Sequence, residues 1–321
     1  MAAMNITDLK ARLRLPVIAA PMFIISCPKM VIAQCKAGIV GSFPALNARP
    51  QAQLDEWLHE IREALAAHDA ANPDSPAAPF AVNQIVHRSN ARLEGDMAII
   101  EKHRVPIVIT SLGAQAEVND AVRNWGGMTF HDVIHRSYAE KALEKGADGL
   151  IAVCAGAGGH AGAQSPFALV EEIRAFFSGP LALSGAISTG RSILAAQATG
   201  ADFAYIGSAF IATEEANATP AYKQAVVDGS AEDIVYSAFF TGVHGNYLKP
   251  SIRAAGLDPD DLPQKGTMMD FSALEKGTAK AWRDIWGAGQ GIGAVHTIEP
   301  IAAVVDRLTG EYRAARQRLC G

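Results

Sequence analysis

The 321-residue chain has little of several things that would have narrowed its chemistry at once. Its four cysteines, Cys27, Cys35, Cys154 and Cys320, are scattered. They form no C-x-x-C pair and no Cys/His spacing of the kind that holds zinc, so reduced thiols and a cytoplasmic location are expected. There is no excess of positive charge: 28 Lys and Arg against 33 Asp and Glu give a net charge of −5, which excludes a basic footprint for nucleic acid. No apolar run is long enough to cross a membrane. Residues 1–10 lack the charged-then-apolar order of a secretory signal. No low-complexity tract, internal repeat or G-x-S-x-G nucleophile elbow occurs. A helical H-E-x-x-H zinc motif is absent as well. The nearest approach is His131-Asp132-Val133-Ile134-His135, where one histidine ends an expected strand and the other opens the next helix. No metal site is expected.

What remains is a hydrophobic content of 49% arranged in a rhythm. Short apolar, β-rich runs fall at 17–20, 38–42, 80–84, 106–110, 128–131, 149–153, 181–184 and 203–206. Amphipathic helical stretches separate them at 51–67, 90–102, 115–124, 135–145, 166–177 and 190–197. Glycines follow several helix ends, as in Lys36-Ala37-Gly38, Lys145-Gly146 and Thr199-Gly200, where a left-handed stop returns the chain to a strand. Continuous apolar strands alternating with helices predict a parallel sheet covered on both faces. Eight such units predict an α/β fold, a TIM (β/α)8 barrel. The rhythm breaks after Thr213. Residues 1–213 are therefore expected to form the barrel core, and 214–282 a mainly helical insertion or lid after strand 8. Residues 283–321 then carry a glycine-dense run and a C-terminal helix returning to the barrel, its apolar side made by Ile301, Val304, Val305 and Leu308.

Chemistry in a barrel sits where the strands end. The sixth strand runs into Cys154-Ala155-Gly156-Ala157-Gly158-Gly159-His160-Ala161-Gly162. Glycine admits positive φ and lets a flat ligand approach the backbone, and one imidazole is set among these glycines. The loops after strands seven and eight, Ser184-Gly185-Ala186 and Gly207-Ser208-Ala209-Phe210, stand where barrels bind phosphate. A phosphorylated cofactor is expected. Polar groups at the other strand ends, Asn83 and Gln84, Thr110 and Ser111, and Asp132, together with Met22, are expected to face the same mouth. Trp286-Gly287-Ala288-Gly289-Gln290-Gly291 is a second glycine-dense run able to approach a ring system.

These elements resemble the nitronate monooxygenase (2-nitropropane dioxygenase-like) family of FMN-dependent TIM-barrel enzymes. The similarity runs from residue 15 to about 213 and returns at 286–295. It is carried by Ala20-Pro21-Met22, Pro79-Phe80-Ala81-Val82-Asn83, Ala157-Gly158-Gly159-His160-Ala161-Gly162, Ser184-Gly185, Gly207-Ser208-Ala209-Phe210 and Gly289-Gln290-Gly291. The resemblance implies that Met22, Asn83, Gly185, Ala186, Gly207, Ser208 and Gln290 surround FMN, with Thr110, Asp132 and Gly159 counted among the cofactor contacts. His160 is the implied catalytic residue.

The chain departs from the family at Gly156, where an acidic residue is common, and at Val153-Cys154, where Gln-Gly is common. It departs again at Asp132, where some relatives carry a basic or amide group. The segment Thr241-Gly242-Val243-His244-Gly245-Asn246-Tyr247-Leu248-Lys249-Pro250 has no close counterpart and is expected to line the substrate side.

The activity implied is oxidation of alkyl nitronates, or nitroalkanes, by dioxygen to a carbonyl compound and nitrite. An NAD(P)H-dependent flavin reductase of quinones or enoyl thioesters needs the same fold and flavin. A flavin- or phosphate-binding protein without turnover is a third reading. The expected partners are small molecules, with neither nucleic acid nor membrane, and a homodimer is compatible with the chain.

Overall fold

A computed structural model describes residues 4–262 and 284–320. Its centre is a ring of eight parallel strands: β1 (Val17–Ala19), β2 (Gly41–Pro44), β3 (Phe80–Ile85), β4 (Ile107–Ser111), β5 (Met128–Val133), β6 (Gly149–Val153), β7 (Leu181–Ser184) and β8 (Phe203–Ile206). Strands β2 to β8 pair in chain order, β8 pairs with β1, and the Ile18–Val40 bridge joins β1 to the stretch before β2. The α/β barrel expected from the sequence is the fold. Strand two begins later than expected, because Gly38 (φ +90°) still belongs to the helix stop and not to the extended run.

Side chains alternate between the two faces of each strand. Ala81, Ile107, Ile109, Met128, Phe130, Ile151, Ala182 and Phe203 fill the interior of the ring. Val82 and Val108 turn outward and pack with Leu54, Leu58, Ile61 and Ile100 of the helix layer. Phe130 and Phe203 meet edge to face with centroids 6.2 Å apart. Gly149 makes room for Phe130, since a Cβ there would lie 2.6 Å from its ring.

The helix layer comprises α1 (Ile6–Ala11), α2 (Pro28–Lys36), α3 (Gln53–Ala71), α4 (Leu93–Lys102), α5 (Ala116–Asn124), α6 (Arg136–Glu144), α7 (Pro166–Arg174) and α8 (Gly190–Ala198). After β8 the chain leaves the ring through α9 (Pro220–Asp228) and α10 (Lys249–Ala254), and it returns as α11 (Ile301–Cys320). Ile301, Val304, Val305 and Leu308 of α11 are buried, and the helix packs on α8 and α2. Residues 214–262 also contain two strands, Ile234–Ser237 and Gly245–Leu248. They form an antiparallel sheet whose third strand is Gly159–His160, in the glycine run after β6. Residues 263–283 of the expected lid lie outside the described residues. No described helix is long and apolar enough to cross a membrane.

Helices α8 and α11 approach closely at Gly190, the first residue of α8. Its amide donates to Glu311, and a Cβ there would lie within 3.0 Å of Tyr312 N and Leu308 O on α11. The obstacles are backbone, which cannot swing aside. Gly190→Ala is expected to destabilise the protein by about 1–3 kcal/mol in urea unfolding. An unchanged midpoint would mean that α11 moves away from α8 at no cost.

Candidate active site at the C-terminal mouth of the barrel

Three separate glycine segments meet at one carbonyl. Gly156 O accepts hydrogen bonds from Ala186 N (3.3 Å) and Gln290 N (2.9 Å). Gly289 N donates to Ser208 Oγ at 2.8 Å, which joins the loop after β8 to the same knot. Side chains are excluded because the backbones nearly touch. A Cβ on Gly158 would lie 2.8 Å from Gly289 N, and one on Gly289 would lie 2.5 Å from Gly156 O. Gly185 (φ +148°) and Ala186 (φ +52°) complete the turn after β7. The Ala186 amide is therefore not a spare donor for an anion, as the loop sequence alone had suggested, because it is committed to Gly156.

The donors better placed for an anion belong to the loop after β8. Gly207 and Ser208 open a 3-10 turn, Ser208–Phe210, and the first amides of such a turn have no partner within it. Beside them sits Met22: a Cβ on Gly207 would make ordinary contact with Met22 Sδ at 3.6 Å. The Met22 loop is held by Asn47, whose amide donates to Met22 O (3.0 Å) and Ser26 O (2.8 Å) and whose Oδ1 accepts from Ile24 N (2.9 Å). Ile24 takes φ +68°, a strained conformation for a β-branched residue.

Across the mouth lies a polar chain. Asn83 Nδ2 donates to Ser111 Oγ (2.8 Å) and to Ile109 O (3.1 Å), and Ser111 Oγ donates to Asp132 Oδ2 (2.5 Å). The other carboxylate oxygen of Asp132 is buried with no hydrogen-bond partner among the described residues. Burial pushes the Asp132 carboxyl up to about 6, against the lowering effect of the Ser111 bond. Tyr205, on the interior face of β8, is also raised by burial and by the Asp132 charge.

Thr110 is not brought into this group through its side chain. It lies one residue out of phase with Ser111, on the helix-facing side of β4, and its hydroxyl is 2.6 Å from His131 Nδ1. His131 is itself buried, and burial lowers its pKa to about 4. His131 is part of β5, whereas His135 caps α6. Among the described residues no group of three or more His, Cys, Asp or Glu could hold a metal ion.

His160 stands at the edge of the glycine knot, on the short strand paired with Gly245 and Asn246. Its Nε2 is 3.1 Å from Thr241 Oγ1. Burial pushes its pKa down to about 4, so it is a neutral imidazole at neutral pH. Next to it, Gly159 (φ +66°) has no atom of the described residues within 4 Å of where a Cβ would project, so among these residues the backbone borders open space there. Gln290 leans over Gly156, its Oε1 3.0 Å from the position a Cβ would take. Asn246 Nδ2 donates to Ala157 O at 2.6 Å and pins the glycine run from the lid side. The mouth thus combines a bare backbone cradle, an unpartnered buried carboxylate oxygen, amides at a turn start and a neutral histidine.

The nitronate monooxygenase family model matches residues 6–311. The chain belongs to that family of flavin-dependent oxidoreductases. A nitronate monooxygenase of Paraburkholderia phytofirmans is 25% identical, with 95% of this chain and 94% of the relative covered. A probable nitronate monooxygenase of Bacillus subtilis is 27% identical over 73% of this chain and 76% of its own. Among solved structures, a nitroalkane oxidase from Streptomyces ansochromogenes superposes with a TM-score of 0.79 at 25% identity, covering 97% of this chain and 99% of that one. FabK from Thermotoga maritima reaches a TM-score of 0.77 at 22% identity over 100% of this chain and 99% of its own, a likeness of fold.

Asn47 was not singled out by the sequence, and Thr241 and Asn246 were named only as part of the 241–250 segment expected to line the substrate side, with no role of their own. Each acts through bonds to backbone or side chains far along the chain, and each belongs to a residue type common in ordinary turns.

The raised Asp132 pKa has a stability consequence. The stability gained by keeping this carboxyl protonated is full below the ordinary carboxylate pKa of about 4 and is lost as pH rises through about 6. Asp132→Asn cannot ionise. It should make the flavin-free protein more stable than the parent at pH 8, by roughly 1–3 kcal/mol, with the gap closing toward pH 4. Urea unfolding at both pH values measures this, and a gap independent of pH would remove the buried charge as its cause.

Proposed function

We propose that the chain is an FMN-dependent nitronate monooxygenase, oxidising alkyl nitronates with dioxygen to a carbonyl compound and nitrite. The observation that supports this most is the position of a neutral His160 beside a side-chain-free stretch of backbone, Gly158–Gly159, at the mouth of the barrel. The residues fit a flavin. Held by Ser111 and Asn83, Asp132 offers a carboxylate oxygen suited to the polar edge of a flat heterocycle. Met22 and Gln290 border the same space, and Gly207 and Ser208 offer amides for the phosphate. FMN, when bound, supplies the electron acceptor and the reaction with dioxygen.

The protein's own part is binding, orientation and proton handling. A neutral imidazole can donate its N–H to the nitro oxygens of a nitronate. It can equally accept the α-proton of a neutral nitroalkane, for which its state at pH 7 is already correct. The insertion fixes the backbone of His160 by pairing with the Gly159–His160 strand.

Gly207 tests the phosphate loop. Its φ of −111° is open to any residue and a Cβ fits, so a side chain should not disturb the fold. Gly207→Asp places a negative charge at these amides and should lower FMN occupancy sharply with an unaltered circular dichroism spectrum. Full occupancy would put the phosphate elsewhere.

The activity is tested by anaerobic mixing of the flavin-loaded protein with NADH, NADPH and propyl-2-nitronate in turn. The nitronate should change the flavin absorbance, with nitrite released once air is admitted. Bleaching by NADH or NADPH with no response to the nitronate would overturn this reading in favour of a reductase. His160→Asn should slow turnover of neutral nitroalkanes by ~10²–10⁴-fold, and that of pre-formed nitronate far less.

A further inference from the structure

The apolar interior of the barrel ends, at the mouth, in a carboxyl group. In β5, Met128 and Phe130 point into the ring, and the two-residue period of a strand puts Asp132 on the same face, one step nearer the mouth. Ser111 of β4 meets it through its hydroxyl, and Tyr205 of β8 lies near enough to feel its charge. On its other side β6 places only apolar Ile151 and Val153 on the interior face. His131, the preceding residue, is turned to the helix layer with Thr110.

Nothing nearby offsets a charge on this carboxyl. Burial and the Ser111 hydroxyl are the influences on it, with no cation of the described residues among them, and its Oδ1 has no hydrogen-bond partner there. Without a ligand its midpoint lies at about 6, so it is mostly ionised above pH 7. The other titratable groups around the mouth keep their state over that range. His131 and His160 are pushed down to about 4, Cys154 at the end of β6 is pushed up to about 12, and Tyr205 is held well above the ordinary tyrosine value. An oxidised flavin is uncharged, whereas an electron pair and one proton leave the reduced ring with a negative charge on its pyrimidine. In a site of low polarity that charge raises the pKa of a carboxyl beside it, and two such groups titrate as a unit.

We propose that Asp132 is a redox-linked proton acceptor: it is ionised beside the oxidised flavin and takes up a proton when the flavin is reduced, so that carboxyl and ring carry one negative charge between them. Two electrons and two protons enter, one proton on the ring and one on Asp132, and reoxidation returns both. The net charge of the site is then the same in the two states. The proposal rests on the reading that FMN lies at this mouth with its polar edge toward Asp132. It gives a role to a departure of this chain, a carboxylate where some relatives carry a basic or amide group. Such a group would tolerate the charge of the reduced ring, whereas Asp132 must be neutralised to do so.

The proton count is read from the flavin's midpoint potential, obtained by anaerobic dithionite titration of the FMN-loaded protein beside a reference dye. Each proton taken up with an electron pair lowers that potential by about 30 mV per pH unit. Between pH 7 and pH 9 the parent should fall by about 60 mV per unit, and Asp132→Asn, which has no second proton to take up, by about 30 mV. A parent slope of about 30 mV per unit, or a slope of about 60 mV in Asp132→Asn, would overturn the proposal. Reduced-minus-oxidised infrared difference spectra give a second readout. Reduction of the parent should add a protonated-carboxyl C=O band, and Asp132→Asn should lack it. A parent spectrum without that band would overturn the proposal even where the variant fails to hold FMN. Failure of the wider reading looks different: propyl-2-nitronate would leave the flavin absorbance unchanged, while the slopes still reported on Asp132. A protein that takes up no FMN would overturn both.

Discussion

Everything at the mouth depends on the carbonyl of Gly156. Two amides more than a hundred residues apart in sequence, Ala186 N and Gln290 N, converge on its one oxygen. A buried carbonyl with two lone pairs can satisfy both, and each donor segment is then fixed relative to β6 without any side chain between. The cost is steric. Gly158 and Gly289 must lack a Cβ for the backbones to approach this closely, and Gly156 must adopt φ +84°. Next to this knot, Gly159 faces open space among the described residues, so a bare stretch of backbone adjoins the point where the loops are tied together.

The second organising constraint is low polarity around ionisable groups. Burial acts in opposite directions on acids and bases, and both directions lead to the neutral form. His131 and His160 are pushed down to about 4, and Asp132 is pushed up to about 6. Near neutral pH the two histidines are uncharged, while Asp132 lies close to its midpoint. That carboxyl is the one group in the polar chain of Asn83, Ser111 and Asp132 whose charge can still change where a flavin's polar edge fits.

The barrel was legible because its strands are short, apolar and separated by glycine-stopped helices. The glycine loops were legible because few other residues tolerate such close approach. The side-chain phase within a strand was not. In β4, Ile107, Val108 and Ile109 are apolar on both faces, so the sequence offers no polar alternation to show which side Thr110 takes. Ser111 and Thr110 look equivalent in the sequence, yet one joins the mouth and the other binds His131 against the helix layer. The small sheet was hidden for a different reason. A two-residue strand, Gly159–His160, has neither length nor β-propensity of its own, and its pairing partner lies some eighty residues away. The usable signal was in the partner: Ile234-Val235-Tyr236 and Tyr247-Leu248 are β-formers in a stretch otherwise read as helical and polar.

Where the insertion leaves the barrel also explains why it can reach the histidine at all. It departs after β8, at the end where every βα loop emerges, and α11 returns to occupy the place beside α8 that a helix directly after β8 would fill. A segment inserted there begins at the mouth. Its hairpin then pairs with an unfilled strand edge of the glycine run, satisfying backbone groups that a bare glycine loop would leave to water. His160 therefore belongs to two structures at once: its chain position comes from β6, and its orientation comes from the insertion. Change in the insertion can alter how the imidazole is presented, and so what it reacts with, while the barrel and its knot of glycines stay as they are.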